Sequence, residues 1–192
     1  MHFSELEAML ASAPYLRELN DRHAGWLPSA LEGPDEALRA ILDAVTLAGR
    51  SAATPEATGE AMRLAKQQTA LLAAAAELTQ CWTTAQSTAA LSDLADATLH
   101  AGLESLMREA GERGLLSGTG DAATSGLALF ALGKHGGREL NYSSDIDIVA
   151  FFDPDRAPLK DRLEATKFFT RVVQKLAGLM QDRTAGGYVF RT

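Results

Sequence analysis

Between Gly126 and Phe152 an apolar run, a glycine pair, a serine pair and a D-x-D sequence follow one another in that order. Few folds accommodate that succession. Leu127-Ala128-Leu129-Phe130-Ala131-Leu132 is a short continuous apolar run with Gly126 and Gly133 on either side, which predicts a buried strand. A polar loop, Gly133–Ser144, comes next. Asp145-Ile146-Asp147-Ile148-Val149-Ala150-Phe151-Phe152 then predicts a second strand, closed by Asp153-Pro154-Asp155. Side chains alternate along a strand, so Asp145 and Asp147 share one face and Ile146 and Ile148 the other. Beyond Asp147 both faces are apolar, and the strand is expected to be central and buried. Two carboxylates at the mouth of such a strand are costly unless neutralised. Mg²⁺ or Mn²⁺, hard cations held jointly with substrate phosphates, would neutralise them. Two such ions roughly 3.5–4 Å apart can clamp the attacking and leaving oxygens of a phosphoryl transfer.

The loop adds to this reading. Gly136 and Gly137 allow positive φ and close backbone approach, so their N–H groups are expected to face phosphate oxygens. Ser143 and Ser144 supply hydroxyl groups beside the acids, and Lys134 and Arg138 could balance polyphosphate charge. Each of these is commonplace alone; their order is what is specific. Other motifs fail. His135 stands where a P-loop needs Ser or Thr, and no G-x-G-x-x-G follows a strand. Asp153, Asp155 and Asp161 read as solvated loop acids. The single cysteine, Cys81, excludes a disulfide framework and a CxxC zinc site, and reads as a partly buried small side chain. The four histidines are scattered without ligand spacing.

Residues 1–116 read as a helical subdomain and 117–192 as a second unit. Pro34-Asp35-Glu36 opens a helix with Leu38, Ile41, Leu42 and Val45 on one face. A second helix is expected over about 60–81, with Met62, Ala65, Leu72 and Ala76 inward. A third is expected over about 88–110, striped by Leu91, Leu94, Ala95, Leu99, Leu103 and Leu106 and ended by Gly111 and Gly114. After the polar stretch from Ser117 to Ser125 come the two strands and an amphipathic helix over 159–181, with Leu163, Phe168, Phe169, Val172, Val173, Leu176 and Met180 as its apolar members. Gly186-Gly187 reads as a turn and Tyr188–Thr192 as the start of a third strand. The fold class is therefore α+β or α/β. A net charge of −7 argues against nucleic acid as the main partner. The N-terminus lacks the pattern of a signal peptide, and the apolar runs are too short to span a bilayer, so a soluble cytoplasmic protein with no membrane partner is expected.

Gly133-Lys134-His135-Gly136-Gly137-Arg138-Glu139-Leu140-Asn141-Tyr142-Ser143-Ser144-Asp145-Ile146-Asp147 resembles the signature of the glutamine synthetase adenylyltransferase/adenylyl-removing enzymes, members of the nucleotidyltransferase superfamily. Ala90–Ala97 is similar to a family helix just upstream, and Gly187-Tyr188-Val189-Phe190-Arg191 to the strand after the long helix. The resemblance covers roughly residues 60–192. It implies a partial nucleotidyltransferase core of the DNA polymerase β-like kind, in the order strand, loop, strand, helix, strand.

Family members carry two such domains, one removing AMP from a tyrosine of glutamine synthetase by phosphorolysis and one adding it from ATP. The loop wording and the Gly-Tyr-Val-Phe-Arg segment resemble the adenylyl-removing domain. The resemblance implies that Asp145 and Asp147 hold the metals, Mg²⁺ or Mn²⁺, while Gly136, Gly137 and Ser144 contact phosphates. Phosphate attacks the AMP α-phosphorus, and ADP is released. It further implies glutamine synthetase as partner and a PII-type nitrogen signal protein as regulator. Three departures stand out, the first being that nothing in the sequence matches the second, adenylyl-adding domain or the regulatory region between the two. The superfamily's third carboxylate would follow just after Thr192, so the chain as given is expected to be weakly active or inactive. His135 replaces a more usual apolar residue and reads as tolerated loop variation. Two rivals remain at this level: a nucleotidyltransferase with a different AMP acceptor, and a non-catalytic helical binding module with a remnant site.

Overall fold

A computed structural model describes residues 3–118 and 120–192. Six helices occupy the first part: α1 (Phe3–Ala11), α2 (Pro14–His23), α3 (Leu27–Glu32), α4 (Pro34–Ser51), α5 (Pro55–Leu78) and α6 (Thr84–Glu112). Proline stands in the first turn of α2, α3, α4 and α5, where its missing N–H costs nothing. The Thr54 side chain accepts from Ala57 N–H at the start of α5. Thr83 and Gln86 cap α6 reciprocally, each side chain accepting the other's backbone N–H.

Helix α5 sits at the centre because it is apolar or small nearly all round, as a fully surrounded helix must be. Ala70 to Ala76 is buried throughout. One side of α5 meets Leu6, Leu10, Leu19 and Leu27 from α1, α2 and α3. The other side, through Met62, Ala65, Leu72 and Ala76, meets α4 and α6. The stripe expected on α6, Leu91 to Leu106, is buried as well. Each leucine withdrawn from water contributes about 1.5–3 kcal/mol.

Two strands follow, β1 (Leu127–Leu132) and β2 (Asp147–Phe152), paired antiparallel with Leu127 opposite Phe152 and Leu132 opposite Asp147. A short helix α7 (Gly133–Gly136) follows β1, and α8 (Ala165–Gln181) follows β2. The inner sheet face, with Leu127, Leu129, Ile148 and Phe152, packs on the core. Phe152 stacks on Phe169 of α8 at 4.9 Å between ring centroids. The buried cluster holds residues from both sides of the 116/117 boundary, from Ala30 to Phe190.

Five expectations need correction. Neither strand is buried on both faces: Phe130 is 54% and Phe151 60% exposed, because this two-stranded sheet is covered on one side only. Strand β2 begins at Asp147 instead of Asp145. The long helix begins at Ala165, not Leu159. Leu159 instead bridges to Leu116, the Asp161 carboxylate accepts from Leu163 N–H and turns the chain, and Leu163 is 95% exposed. No third strand forms over 188–192. The N–H groups of Val189 and Phe190 instead donate to the Met180 carbonyl at the end of α8, and a lone bond from Ile146 N–H to Arg191 O ties this segment to β2. Burial of the Val189 and Phe190 side chains fixes that course. The structure is thus mostly helical with a small antiparallel sheet, an α+β arrangement. Cys81, expected to be partly buried, is exposed.

Two charged side chains of α5, Arg63 and Lys66, are buried. Lys66 of α5 is 6% exposed, and its Nζ has no hydrogen-bond partner. Burial pushes its ammonium down to about 8 from 10.5. Between those values the unfolded chain holds a proton that the folded chain lacks, so stability rises with pH across this window. Below it, the desolvated charge is carried at a cost of up to about 3 kcal/mol. Urea unfolding should therefore show Lys66→Met to be more stable than the parent at pH 7, with the gap shrinking as pH rises from about 8 to 10.

Candidate functional site

The edge where β1 turns out of the sheet meets the start of β2. Leu132 pairs with Asp147, so Gly133 lies beside the Asp147 carboxylate. A Cβ on Gly133 would come within 3.1 Å of Asp147 Oδ2, and Gly133 has φ +56°, a conformation that favours glycine. Asp145 and Asp147 are exposed and the intervening Ile146 is 1% exposed, so the two acids face solvent together. Neither carboxylate has a hydrogen bond or ion pair with a described residue. Two free carboxylates are suitable oxygen donors for a hard cation. Among the described residues, no group of three or more His, Cys, Asp and Glu side chains is placed to share one metal ion. The pair therefore fits a cation whose remaining ligands come from phosphate oxygens or water.

The glycine loop is built differently from the expectation. Positive φ falls on Gly133 and on Arg138 (58°), not on Gly136 or Gly137. Gly136 is needed for close approach, since a Cβ there would meet the Ala131 carbonyl oxygen at 2.6 Å. The Gly137 N–H donates to Gly133 O at 3.0 Å and the Glu139 N–H to Lys134 O at 2.8 Å, so the loop closes on itself. Gly137's backbone donor is already in use within the turn.

The serine pair divides in the same way. Asn141 organises a tight turn in which Ser144 Oγ accepts from Asn141 N–H and donates to Asn141 Oδ1, both at 3.0 Å. Asn141 Oδ1 also accepts from Ser143 N–H. Ser144 thus shapes the approach to Asp145, and the exposed Ser143 side chain is left without a partner among the described residues. Arg191 Nη2 donates to the Ser143 carbonyl at 3.0 Å and braces the turn from behind. Beside it, the Tyr142 hydroxyl is pushed up to about 12 by burial and by nearby Glu77.

The two basic candidates also part. Lys134 is exposed and unpaired among the described residues. Arg138 is turned to α6, where Nη2 donates to Asp93 Oδ1 at 2.5 Å and Nη1 lies 3.9 Å from Asp96 Oδ2. The Asp93 hydrogen bond holds its guanidinium above its ordinary range. The neighbouring His135 is buried, and its Nε2 lies 2.8 Å from Asp96 Oδ1. His135 is therefore more than loop variation: together with Arg138 it clamps the loop to α6. Asp93 and Asp96 escaped the sequence reading. Their spacing of three on one helix face was the available signal, but nothing local says that a loop some forty residues on will seat there.

The clamp yields a graded expectation. Asp96→Ala leaves both imidazole nitrogens of His135 buried and unpaired, since Nδ1 already has no partner. That change should cost about 1–3 kcal/mol in urea unfolding. Arg138→Ala removes an exposed pair and should cost less than about 1 kcal/mol.

The family model described as glutamate-ammonia ligase adenylyltransferase matches residues 3–192. The chain is 38% identical over 195 residues to a bifunctional glutamine synthetase adenylyltransferase/adenylyl-removing enzyme of Agrobacterium fabrum, covering 97% of this chain and 20% of the relative. Enzymes of the same description from Caulobacter vibrioides and a Bradyrhizobium species are 40% and 41% identical, each covering 98% of this chain and 20% of the relative. The chain thus spans about a fifth of the length of the curated relatives it matches. By the extent of the match, it belongs to the glutamate-ammonia ligase adenylyltransferase family.

Proposed function

We propose that this chain supplies the D-x-D loop of an adenylyl-removing site, which acts on AMP linked to a tyrosine of glutamine synthetase. The reaction is phosphorolysis: phosphate forms a bond to the AMP α-phosphorus, the bond to the tyrosyl oxygen breaks, and ADP and free tyrosine result. The observation that carries the reading is the pair Asp145 and Asp147, exposed together beside Gly133 and without partners among the described residues.

Asp145 and Asp147 would hold Mg²⁺ or Mn²⁺. When bound, such an ion supplies charge neutralisation at the phosphates and polarises the phosphorus centre. The chain's own residues contribute position and charge. Gly133 lets the Asp147 carboxylate lie close over the backbone. Lys134 and the Ser143 hydroxyl are free to meet phosphate oxygens. Gly136, Gly137 and Ser144 hold the loop's shape through the contacts described above, and Arg138, paired with Asp93 and near Asp96, keeps the loop on α6. Phosphoryl chemistry of this kind rests on positioning and electrostatics more than on covalent catalysis. Glutamine synthetase is the proposed protein substrate and a PII-type signal protein a proposed regulator; both follow from the family alone.

In a full-length enzyme carrying this segment, Asp145→Asn and Asp147→Asn should each lower ADP release from adenylylated glutamine synthetase by about 10²-fold or more. Phosphorolysis that survives both changes would refute the assignment.

A further inference from the structure

A cavity of about 590 Å³ opens between α2, α5, the turn at Tyr142-Ser143 and the chain reversal over 183–188. That volume lies within the range of small-molecule sites. Asp145 and Asp147 do not line it. Its wall includes Lys66, the buried cation of α5. The Lys66 Nζ has no hydrogen-bond partner, and no described carboxylate forms an ion pair with it. Its one stabilising neighbour is the ring of Phe190, 3.9 Å from Nζ to the centroid. A desolvated ammonium with only an aromatic face beside it is poorly compensated.

The rest of the wall favours negative charge. Arg183 lines the cavity 5.8 Å from the Tyr188 ring and forms no ion pair among the described residues. Glu18 is the sole acid among the lining residues, and it is already paired with Arg22 at 2.7 Å. The Ser143 side chain adds a free hydroxyl. The cavity thus combines two uncompensated cations with a hydroxyl donor and lacks a free acceptor charge.

We propose that this cavity is a binding site for a small oxyanion, a phosphate or carboxylate group seated against Lys66 with Arg183 at its side. The bound anion places negative charge in the wall that Lys66 shares; its Nζ, which rests on the Phe190 ring, would turn towards the cavity to meet it. Because Tyr142 and Ser143 form part of the wall, occupancy also steadies the turn that leads into Asp145. The site contains neither acid of the proposed adenylyl-removing site; Ser143 is the residue common to both readings, and the assignment to Lys66 and Arg183 does not rest on that chemistry.

Thermal unfolding and calorimetric titration of the 192-residue chain test it, with inorganic phosphate and glutarate as separate probes and chloride at matched ionic strength as control. Either probe should raise the unfolding midpoint saturably where chloride does not. A response to phosphate alone identifies a phosphate ligand, and a response to glutarate alone a carboxylate. Lys66→Met should abolish the response, and Arg183→Gln should weaken binding about tenfold. No saturable response to either probe, or a response retained by Lys66→Met, would overturn the proposal. Should Lys66→Met fail to fold, Arg183→Gln decides, since that side chain is exposed and its loss leaves the core intact. Unchanged affinity in that variant would equally overturn it.

Discussion

The buried imidazole of His135 bonded to Asp96 joins the two parts of the molecule at the point where chemistry is expected. Helices α1 to α6 and β1 lie before it, and the loop, the D-x-D strand and α8 lie after it. With Nε2 held at 2.8 Å and the ring almost fully out of solvent, α7 cannot drift away from α6 without uncovering an unpaired polar group. Arg138 adds a second, exposed tether to the same helix. The position of Gly133, and through it the setting of Asp147, therefore depends on residues far upstream in the chain.

That tether is only as firm as α6 itself. Helix α6 is seated against α4, α5 and α8 through leucine and alanine, and the small side chains of α5 allow close approach of its neighbours. Two buried threonine hydroxyls are settled within the packing: Thr58 Oγ1 donates to Ser105 Oγ at 3.0 Å across the α5–α6 contact, and Thr98 bonds back to its own helix, whereas Thr69 Oγ1 has no partner. The core departs from this economy at Lys66, whose charge is left without a polar partner beside a cavity. A buried charge without a polar partner is more readily understood as a binding feature than as a stabilising one.

Much of this was legible in the amino-acid order. The helical stripes on α4, α5 and α6 have the period that buries one face, and the residues picked out on α5 and α6 are buried. The two strands and their glycine loop lie where the apolar runs placed them, because turn residues bound them on both sides. The misses have physical causes. A continuous apolar run does not distinguish a strand buried on two faces from one covered on a single face, and Phe130 and Phe151 are the result. Leu163 fitted the helical period, but the Asp161 side chain captured the chain in a turn first. Tyr188–Thr192 has strand-forming residues, yet the carbonyl of Met180 took its backbone donors. The roles of Asp93, Asp96 and His135 rest on contacts across about forty residues, which no local pattern encodes.

The most direct test of the central reading is whether Asp145 and Asp147 act together as a cation-binding pair. Mn²⁺ titration of the chain, followed by electron paramagnetic resonance with and without ADP, measures this directly. Uptake of Mn²⁺ that ADP strengthens, and that Asp145→Asn with Asp147→Asn abolishes, is the expected result. Equal uptake by the parent chain and the double variant would contradict it.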